Sequence, residues 1–371
     1  MRVCLICVEM FGWGKYGGFG KSTRIIGREL ARRGVSVSAV VPRRSGQRPV
    51  EDLDGIRVLS FNKWNWLSLF QLCRQANADI YHSIEPSLSS YLAMRAMPDR
   101  KHIVTFHDPR MIHDWITELR LPSLNYLQVL SNWFYEDSWL VQQAVRRMDR
   151  CFTTAWFTRE KTRAKYHLQY EPEFLPTPVV LPEKIEKAST PTVLYLARLD
   201  KRKRPQIFFE LTKSFPQVRF LVAGKARDPE YERELLDRYG SLPNLEMLGL
   251  VNPFRGDEHS RLLGKSWILV NTAAREGLPN AFFEAAAHAC AILSSEDPDD
   301  FTSRFGYTVR EGDYVSGLTA LLKDDLWKER GQAGYEYVRR VYAADLAIQQ
   351  HLDVYAELMQ PRRSDPIGQN E

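Results

Sequence analysis

Short apolar runs alternate along the chain with segments whose apolar residues recur at helical spacing. In the first half, apolar runs predict strands at residues 2–8, 36–41, 57–61, 80–83, 102–106 and 151–154. Between the first two runs, Ile25, Ile26, Leu30 and Ala31 lie on one face of a predicted helix over residues 22–33. Strands that are apolar throughout and alternate with helices are typical of a parallel sheet covered on both faces.

The alternation is interrupted once and then resumes. The segment 171–191 carries five prolines, which remove backbone donors and fix φ, so it predicts a stiff connector: Pro172, Pro176, Pro178, Pro182 and Pro191. Beyond it, the pattern predicts strands at 192–197, 219–223, 245–248, 267–270 and 291–294. Helices are predicted at 205–214, 229–239, 279–290 and 346–359.

This organisation predicts an α/β protein with two Rossmann-like, doubly wound domains facing across a cleft. The first domain covers residues 1–175, a proline-rich linker covers 176–191, and the second domain covers 192–345. A final helix at 346–360 is predicted to cross back to the first domain, and 361–371 is predicted to be a disordered tail. Open sheets of this kind bind ligands at the carboxyl ends of their strands.

Composition narrows the class of protein. Of 371 residues, 44% are hydrophobic and 26% are charged, as expected for a soluble globular chain. No apolar run approaches the ~20 residues of a membrane span, and Glu9 ends the first apolar stretch too early for a signal peptide. We therefore expect a cytoplasmic protein.

Charge is unevenly distributed. Residues 1–175 carry 25 Lys and Arg against 17 Asp and Glu, a net charge of +8. The remaining residues carry a net charge of −3, which gives the total of +5. A basic first half suits an anionic ligand or an anionic membrane surface, and equally an ordinary solvated face. The five cysteines are odd in number, and Cys4 and Cys7 point to opposite faces of a strand, so buried free thiols are expected.

The segment REGLPNAFFEAAAHAC, residues 275–290, follows an apolar strand. Pro279 suits the first turn of a helix, which places Glu276 in the loop at the strand's carboxyl end and Glu284 on the helix. A carboxylate on an otherwise apolar helix needs partners, either protein groups or the hydroxyls of a ligand. Free backbone N–H groups around residues 278–281 favour an anion at the same place.

Two further loops carry candidate phosphate chemistry. In LARLDKRKRP, residues 196–205, Arg198 and Lys203 could neutralise a diphosphate, although such a basic run alone is typical of a solvated loop. In KYGGFGKST, residues 15–23, a triphosphate loop would need glycine where the chain has Lys15. No strand ends cleanly in the Asp that would hold magnesium for such a loop.

Taken in order, these motifs resemble the retaining GT-B glycosyltransferases of family four, the glycosyl transferases group 1. The resemblance rests on Arg198 with Lys203, FLVAGKA at 220–226, LEMLGLV at 245–251, EGLPNAFFEA at 276–285, Gly17, Gly18 and Gly20 after the first strand, DIYHS at 79–83 and TFHD at 105–108. Glu276 and Glu284 match the family's paired-glutamate signature. The resemblance extends to about residue 359.

The resemblance implies a role for each matching residue. Glu284 would accept hydrogen bonds from the nucleotide ribose, Arg198 and Lys203 would hold the diphosphate as leaving group, and Glu276 would contact the transferred sugar. The backbone of Gly277 and Leu278 would lie nearby, and His107 would line the sugar site. The remaining donor-binding residues implied by the family are Gly17 and Gly18 at the diphosphate, Gly224, and Gly249 and Val251 beside the base.

The family's chemistry implies further expectations. The substrate would be a UDP- or GDP-linked sugar, with no cofactor and no required metal, and the acceptor a carbohydrate or lipid-linked glycan rather than nucleic acid. Asp297-Pro298-Asp299 resembles a metal-binding Asp-x-Asp but is interpreted as a polar loop, and His102, His107 and His113 fit no standard metal spacing. Retention would proceed by front-face attack, with the leaving phosphate helping to deprotonate the acceptor.

Alternatives remain at this stage. A sugar-nucleotide epimerase or a non-catalytic nucleotide-sugar binder would share the architecture. The chain also departs from the family: FLPTPVVLP replaces a common turn of the linker, AHACAI lacks a usual glycine and proline, and SSEDPDDF replaces a glycine-rich loop. The aromatic-rich stretch 111–139 suits an acceptor, peripheral contact with the inner face of a membrane, or buried helix faces, and the last is slightly favoured.

Overall fold

The computed structural model describes residues 1–14, 16–62, 65–120 and 126–360. The chain forms two compact units. The first unit contains Met1–Thr105, Asp137–Phe152 and the chain from Asp345 onward, and the second contains Phe106–Glu136 and Thr153–Ala344. The predicted tail at 361–371 lies outside the described residues.

One sheet has eight strands. They are β1 (Arg2–Cys7), β2 (Ser36–Pro42), β3 (Val50–Leu53), β4 (Ile56–Phe61), β5 (Ile80–Ile84), β6 (Lys101–Phe106), β7 (Arg150–Thr153) and β8 (Glu173–Phe174). Their order is β3-β4-β2-β1-β5-β6-β7-β8. The pairs of β1 with β2 and β5, of β2 with β4 and of β5 with β6 are parallel, so the strand order reverses between β1 and β5.

The accompanying helices are α1 (Gly18–Arg32), α2 (Trp66–Ala76), α3 (Leu88–Ala96), α4 (Ile112–Arg120), α5 (Tyr126–Asp137), α6 (Trp139–Val145) and α7 (Thr158–Tyr166). The sequence pattern did not predict the edge strand β3, which pairs antiparallel with β4. Asp54 and Gly55 join the two strands with φ of 56° and 82°. Asp-Gly at two positive-φ positions is the signature of a tight hairpin turn, so a signal was present in the sequence.

The other sheet has six strands, and every pair is parallel. They are β9 (Thr192–Leu196), β10 (Arg219–Ala223), β11 (Leu245–Gly249), β12 (Ile268–Asn271), β13 (Ala291–Ser294) and β14 (Gly306–Thr308). Their order is β11-β10-β9-β12-β13-β14, which reverses between β9 and β12. The predicted class of two doubly wound α/β domains is confirmed.

The helices of this region are α8 (Pro205–Lys213), α9 (Pro229–Tyr239), α10 (Glu258–Lys265), α11 (Asn280–Ala287), α12 (Phe301–Phe305), α13 (Tyr314–Leu322) and α14 (Leu326–Val341). Successive residues of β9 face opposite sides of the sheet. Val193 and Tyr195 pack in a cluster with Phe208 and Phe220, whereas Leu194 packs in a second cluster with Phe282. Both faces of the sheet are therefore buried at β9, which explains why its central strands are mostly apolar.

The sheets and the compact units divide the chain at different places. The last strand of the first sheet ends at Phe174 and β9 begins at Thr192, so the change of sheet falls across the predicted linker. Compactness instead assigns 106–136 and 153–175 to the second unit. Asp108, Asp114 and Glu118 explain part of this assignment, because their carboxylates pair with arginines of the second unit.

The last helix, α15 (Ala344–Met359), belongs to the first unit from Asp345 onward. One hydrogen bond fixes it to the sheet, from Tyr355 Oη to His82 Nδ1 at 2.7 Å, and His82 Nε2 in turn lies 2.7 Å from Thr105 Oγ1 on β6. His351, on the same helix, is buried, and its Nδ1 lies 2.8 Å from Ala347 O. The partners of both histidine rings are uncharged hydroxyl and carbonyl groups.

Acid should weaken the protein through His351. Burial lowers the pKa of His351 to about 4, below the ~6.5 of an unfolded histidine. The unfolded chain therefore binds the extra proton between these values, so stability is retained above pH 6.5 and falls as the pH drops toward 4. Between pH 7.5 and pH 5, we expect the free energy of unfolding of the wild type to fall by about 2 kcal/mol more than that of His351→Asn. Urea unfolding at the two pH values measures this difference.

A matched control is His167→Asn. His167 is exposed and ends α7 in the left-handed conformation, with φ 53°, which asparagine tolerates. Its loss of stability between pH 7.5 and 5 should equal that of the wild type. An unchanged acid loss in His351→Asn would remove His351 from this explanation.

Helices α4 and α5 expose apolar side chains. Trp115, Val129 and Tyr135 are buried, but the side chains of Ile112, Ile116, Tyr126, Leu127, Leu130, Trp133 and Phe134 are exposed, Leu127 by 80%. The favoured expectation of buried helix faces over 111–139 is therefore wrong for one face of each helix. Residues 121–125 of that stretch lie outside the described residues. No helix in the described ranges is both long and apolar enough to cross a bilayer.

All five cysteines are buried and unbridged, which confirms the expectation of free thiols. Burial raises the pKa of the Cys4 and Cys7 thiols, and these two side chains occur on β1 where successive residues alternate between faces.

Candidate active site

Two loops flank the point where the strand order of the six-stranded sheet reverses. One follows β9 and carries Arg198 and Lys203, and the other follows β12 and carries Glu276. Because parallel strands end at the same edge of the sheet, the two loops are neighbours there. Ligands of open α/β sheets bind in the crevice at such a reversal point.

The loop after β9 is built around Asp200. Its carboxylate accepts a hydrogen bond from the backbone N–H of Lys203 at 3.2 Å, which begins a short 3₁₀ turn, Lys201–Lys203. The other oxygen of Asp200 lies 3.4 Å from Arg198 Nη2. Asp200 thus orders both predicted diphosphate-binding residues.

Arg204 joins the two loops and was not identified from the sequence. It sits between the 3₁₀ turn and α8 in a left-handed conformation, with φ 46°. Its guanidinium donates to the carbonyl oxygens of Thr272 at 2.6 Å and Ala273 at 2.9 Å. The basic run 201–204 is therefore only partly the solvated loop that its composition indicates.

Lys203 and Glu276 form an ion pair between the loops. The same oxygen, Glu276 Oε1, accepts from Asn271 Nδ2 at 3.4 Å. Both charged side chains are mostly buried, with exposed fractions of 21% for Lys203 and 14% for Glu276. Sequence spacing placed each residue at the sheet edge but did not predict that they would neutralise each other.

Glu296 is a second carboxylate near Glu276. It lies in SSEDPDDF, the segment that departs from the family pattern. Burial raises the pKa of Glu296, the nearby Glu276 charge adds to that shift, and a hydrogen bond from the Glu276 backbone opposes it. The divergent loop therefore takes part in the electrostatics of the site.

Arg275 reaches two carboxylates. Its Nη2 lies 2.8 Å from Asp108 Oδ2, and its Nε lies 2.7 Å from Asp114 Oδ1. Lys161 Nζ lies 3.1 Å from Asp108 Oδ1 and 3.6 Å from Asp114 Oδ2. Arg275, which directly precedes Glu276, thus belongs to a cluster in which two cations and two anions alternate.

Helix α11 begins at Asn280, with Pro279 as its N-cap residue. Glu284 lies on this helix with an exposed side-chain fraction of 14%, and its Oε2 is 3.2 Å from His259 Nε2 on α10. His288 Nδ1 lies 2.7 Å from Glu284 O, and burial lowers the pKa of His288 to about 4, so it is neutral. Glu284 therefore has a protein partner, one of the two kinds of partner that the sequence allowed.

Three predicted glycines of the second unit occupy positions that suit glycine for different reasons. Gly224 N donates to Gly249 O at 2.8 Å, and a Cβ at Gly224 would overlap with Ala197 O. Gly249 has φ 67°, a conformation that favours glycine. A Cβ at Gly277 would lie 2.8 Å from Asp108 Cβ.

Of three other predicted residues, Val251 and His107 are buried and Leu278 is half-buried. The side chain of Val251 is 7% exposed and belongs to the hydrophobic core beside α11, and its place beside the base stays a prediction. Leu278 packs at the edge of the same cluster. His107, directly after β6, is 7% exposed.

In the first unit, the glycine loop already holds a carboxylate. Gly17 is the N-cap residue of α1, and a Cβ there would overlap with Glu9 Oε1. The same oxygen accepts from Gly20 N at 3.2 Å. Gly17 and Gly20 therefore accommodate an anion supplied by the chain itself, and the contact of Gly17 and Gly18 with a diphosphate stays a prediction.

The carboxylates of Asp297 and Asp299 accept hydrogen bonds from backbone N–H groups. Asp297 Oδ1 lies 2.8 Å from Thr302 N, and the Asp299 oxygens lie 2.8 and 2.6 Å from Trp156 N and Phe157 N. Within the described part of the chain, no three His, Cys, Asp or Glu side chains cluster as metal ligands would. The expected absence of a required metal stays a prediction.

Two family models match the chain in succession. Glycosyltransferase Family 4 matches residues 16–182, and Glycosyl transferases group 1 matches residues 181–299. The boundary between the two matches falls in the proline-rich linker. No curated protein matches the sequence significantly.

Solved structures show the same fold at low sequence identity. Sucrose-phosphate synthase from Thermosynechococcus elongatus is 16% identical with a TM-score of 0.71, covering 96% of this chain and 98% of that one. Anabaena HepE in complex with UDP-glucose is 11% identical with a TM-score of 0.70, covering 96% and 99%. WaaG, a glycosyltransferase involved in lipopolysaccharide biosynthesis, is 16% identical with a TM-score of 0.67, covering 95% and 99%.

The region that matches the group 1 model contains the motifs that carry Arg198, Lys203, Glu276 and Glu284. The two family models together span residues 16–299, and the structural neighbours match both sheets over nearly the whole chain. The chain therefore belongs to the group 1 glycosyltransferases, with a family 4 N-terminal region and the GT-B fold.

Proposed function

We propose that this glycosyltransferase moves a sugar from a nucleoside diphosphate to a glycan, glycolipid or small-molecule acceptor with retention of anomeric configuration. The observation that carries the proposal is the pair of Lys203 and Glu276 at the reversal point of the second sheet, beside Arg198. HepE, of the same fold, binds UDP-glucose, which supports a UDP-linked donor. A GDP-linked donor fits the same residues.

Transfer begins when the bond from the sugar's anomeric carbon to the diphosphate breaks. Negative charge grows on the departing phosphate oxygen, and fixed cations at that oxygen lower the barrier. Arg198 and Lys203 would supply these cations, so the reaction would need no metal. The acceptor oxygen then bonds to the anomeric carbon from the same face, and its proton passes to the departing phosphate.

Glu276 and Glu284 would divide recognition of the donor between them. Glu276 is tied to Lys203, so a diphosphate that attracts Lys203 releases the carboxylate for the sugar hydroxyls. Glu284, on the first turns of α11, would accept from the ribose in exchange for part of its contact with His259. Both glutamates are mostly buried, which strengthens a charged hydrogen bond to a hydroxyl.

A panel of nucleotide sugars tests the proposal. We expect one UDP- or GDP-linked sugar to raise the thermal unfolding midpoint, because a ligand at 100 times its Kd stabilises the fold by about 2.7 kcal/mol. NMR of the product formed with that donor should show the donor's anomeric configuration. An epimer formed from the donor alone, or inversion in the product, would contradict the proposal.

Glu284→Ala should weaken donor binding by about 1.5–3 kcal/mol, the scale of a hydrogen bond to a charged group. Calorimetric titration with the donor and with its nucleoside diphosphate should show the same loss for both, because the ribose is common to them. Glu329→Ala, at an exposed position of α14, serves as the control. Unchanged affinity in Glu284→Ala would exclude Glu284 from the site.

A further inference from the structure

Arg275 makes the most extensive charged contacts of the loop that carries Glu276. One guanidinium edge meets Asp108 at 2.8 Å and Asp114 at 2.7 Å. The carboxylates are well buried, with exposed fractions of 13% and 5%, whereas the Arg275 side chain is 36% exposed. A single exposed surface pair contributes little to order, whereas a guanidinium held at Nη2 and Nε by two buried carboxylates is fixed in direction.

Asp108 touches this loop on both sides of Glu276. Besides its pair with Arg275, its Cβ lies close enough to Gly277 that a Cβ on that glycine would be 2.8 Å away. The residues before and after Glu276 are thus held by the same side chain. Their fixed backbone determines where the Glu276 carboxylate points.

Asp114 is anchored independently of Arg275. It accepts a hydrogen bond from Met111 N at 2.8 Å. Although burial opposes ionisation, this bond and the charges of Arg275 and Lys161 lower the pKa of Asp114. The helix that bears it, α4, also carries Glu118 one turn further on, and Glu118 pairs with Arg202, next to Lys203. One acidic face of α4 therefore holds both loops of the site.

We propose that Arg275 is a positioning residue for sugar recognition. By bridging Asp108 and Asp114, it sets the backbone of residues 275–277 and so directs Glu276 at the transferred sugar rather than at Lys203 alone. The inference rests on the proposed function, because it assigns Arg275 to the sugar part of that donor. It implies that the affinity gained from the sugar, beyond that of the nucleoside diphosphate, depends on Arg275.

Arg275→Lys tests the inference, because lysine keeps the charge but has no planar fork with which to bridge two carboxylates. The probes are UDP-glucose and UDP, or GDP-mannose and GDP if the wild type binds only the guanosine pair. The affinity for the nucleotide sugar relative to its diphosphate should fall by about 5–10-fold, part of a charged hydrogen bond. Asp114→Asn, which keeps an acceptor for Met111 N, should show the same shift.

Glu136→Gln is the matched control. Glu136 pairs with Arg110 at 3.4 Å and not with Arg202 or Arg275. It should leave the ratio of affinities unchanged. A purely structural role of Arg275 would lower the unfolding midpoint or both affinities together and would overturn the inference, as would an unchanged ratio in Arg275→Lys. A wild-type protein that binds none of the four probes would overturn the proposed function, and this inference with it.

Discussion

Replacing Arg198 with alanine should lower turnover by about 10²–10³-fold, the effect of removing one charge-stabilising donor from a transition state. Donor affinity falls much less, because the contact strengthens only as the diphosphate departs. Arg198 is suited to this role: Asp200 holds it at 3.4 Å, and its side chain is 32% exposed, so it can move toward a phosphate. Steady-state kinetics and calorimetric donor titration separate the two effects.

Lys201→Ala provides the control for Arg198→Ala. Lys201 lies in the same loop and has the same charge, but its side chain is exposed near the Tyr231 ring, 5.9 Å from its centre. Loss of general positive potential would affect both variants alike. Normal turnover in Arg198→Ala, combined with weaker binding of the donor, would show that Arg198 only binds.

The sequence predicts the sheets because their strands are buried on both faces. The sequence predicts β1 at residues 2–8, and the strand ends at Cys7. The prediction succeeds because each residue from Val3 to Cys7 is buried. The search for apolar runs did not identify β3, because β3 is an edge strand, VEDL, with two exposed positions and two half-buried ones. An edge strand has no need of a continuous apolar run, so only its Asp-Gly turn marked it.

The position of the candidate site also follows from the sequence, but its electrostatics do not. Arg198 and Glu276 each follow an apolar run, and parallel strands bring such positions to one edge. The pairing of Lys203 with Glu276 joins residues 73 apart in sequence. Neither spacing nor residue type specifies which distant opposite charge a side chain will meet.

The glycine loop illustrates the same limit. Its glycines predict close approach of an anion to the start of α1, and the structure supplies Glu9 Oε1 at that place. Both a phosphate and a side-chain carboxylate suit a helix N-terminus. The motif therefore predicts the charge of the group but not its source.

Glu276→Gln should bind the free nucleoside diphosphate more tightly than the wild type does, while transferring sugar far more slowly. Glutamine keeps the shape of Glu276 but leaves the Lys203 charge without its partner. The diphosphate then no longer competes with a carboxylate for Lys203, and we expect its affinity to rise about 3–10-fold, or about 1 kcal/mol. Turnover should fall by about 10–100-fold, because a charged hydrogen bond to the sugar contributes about 1.5–3 kcal/mol.

The opposite signs of these two effects make the result diagnostic. Substitution of a residue that only maintains the fold would weaken the binding of every ligand. Substitution of a carboxylate shared between Lys203 and the sugar should strengthen the binding of the diphosphate and weaken the contact with the sugar. Glu234→Gln, at an exposed position of α9, removes the same charge from the same unit without touching the loops. If Glu276→Gln bound the diphosphate more weakly than this control, Lys203 would not be the group that exchanges Glu276 for phosphate.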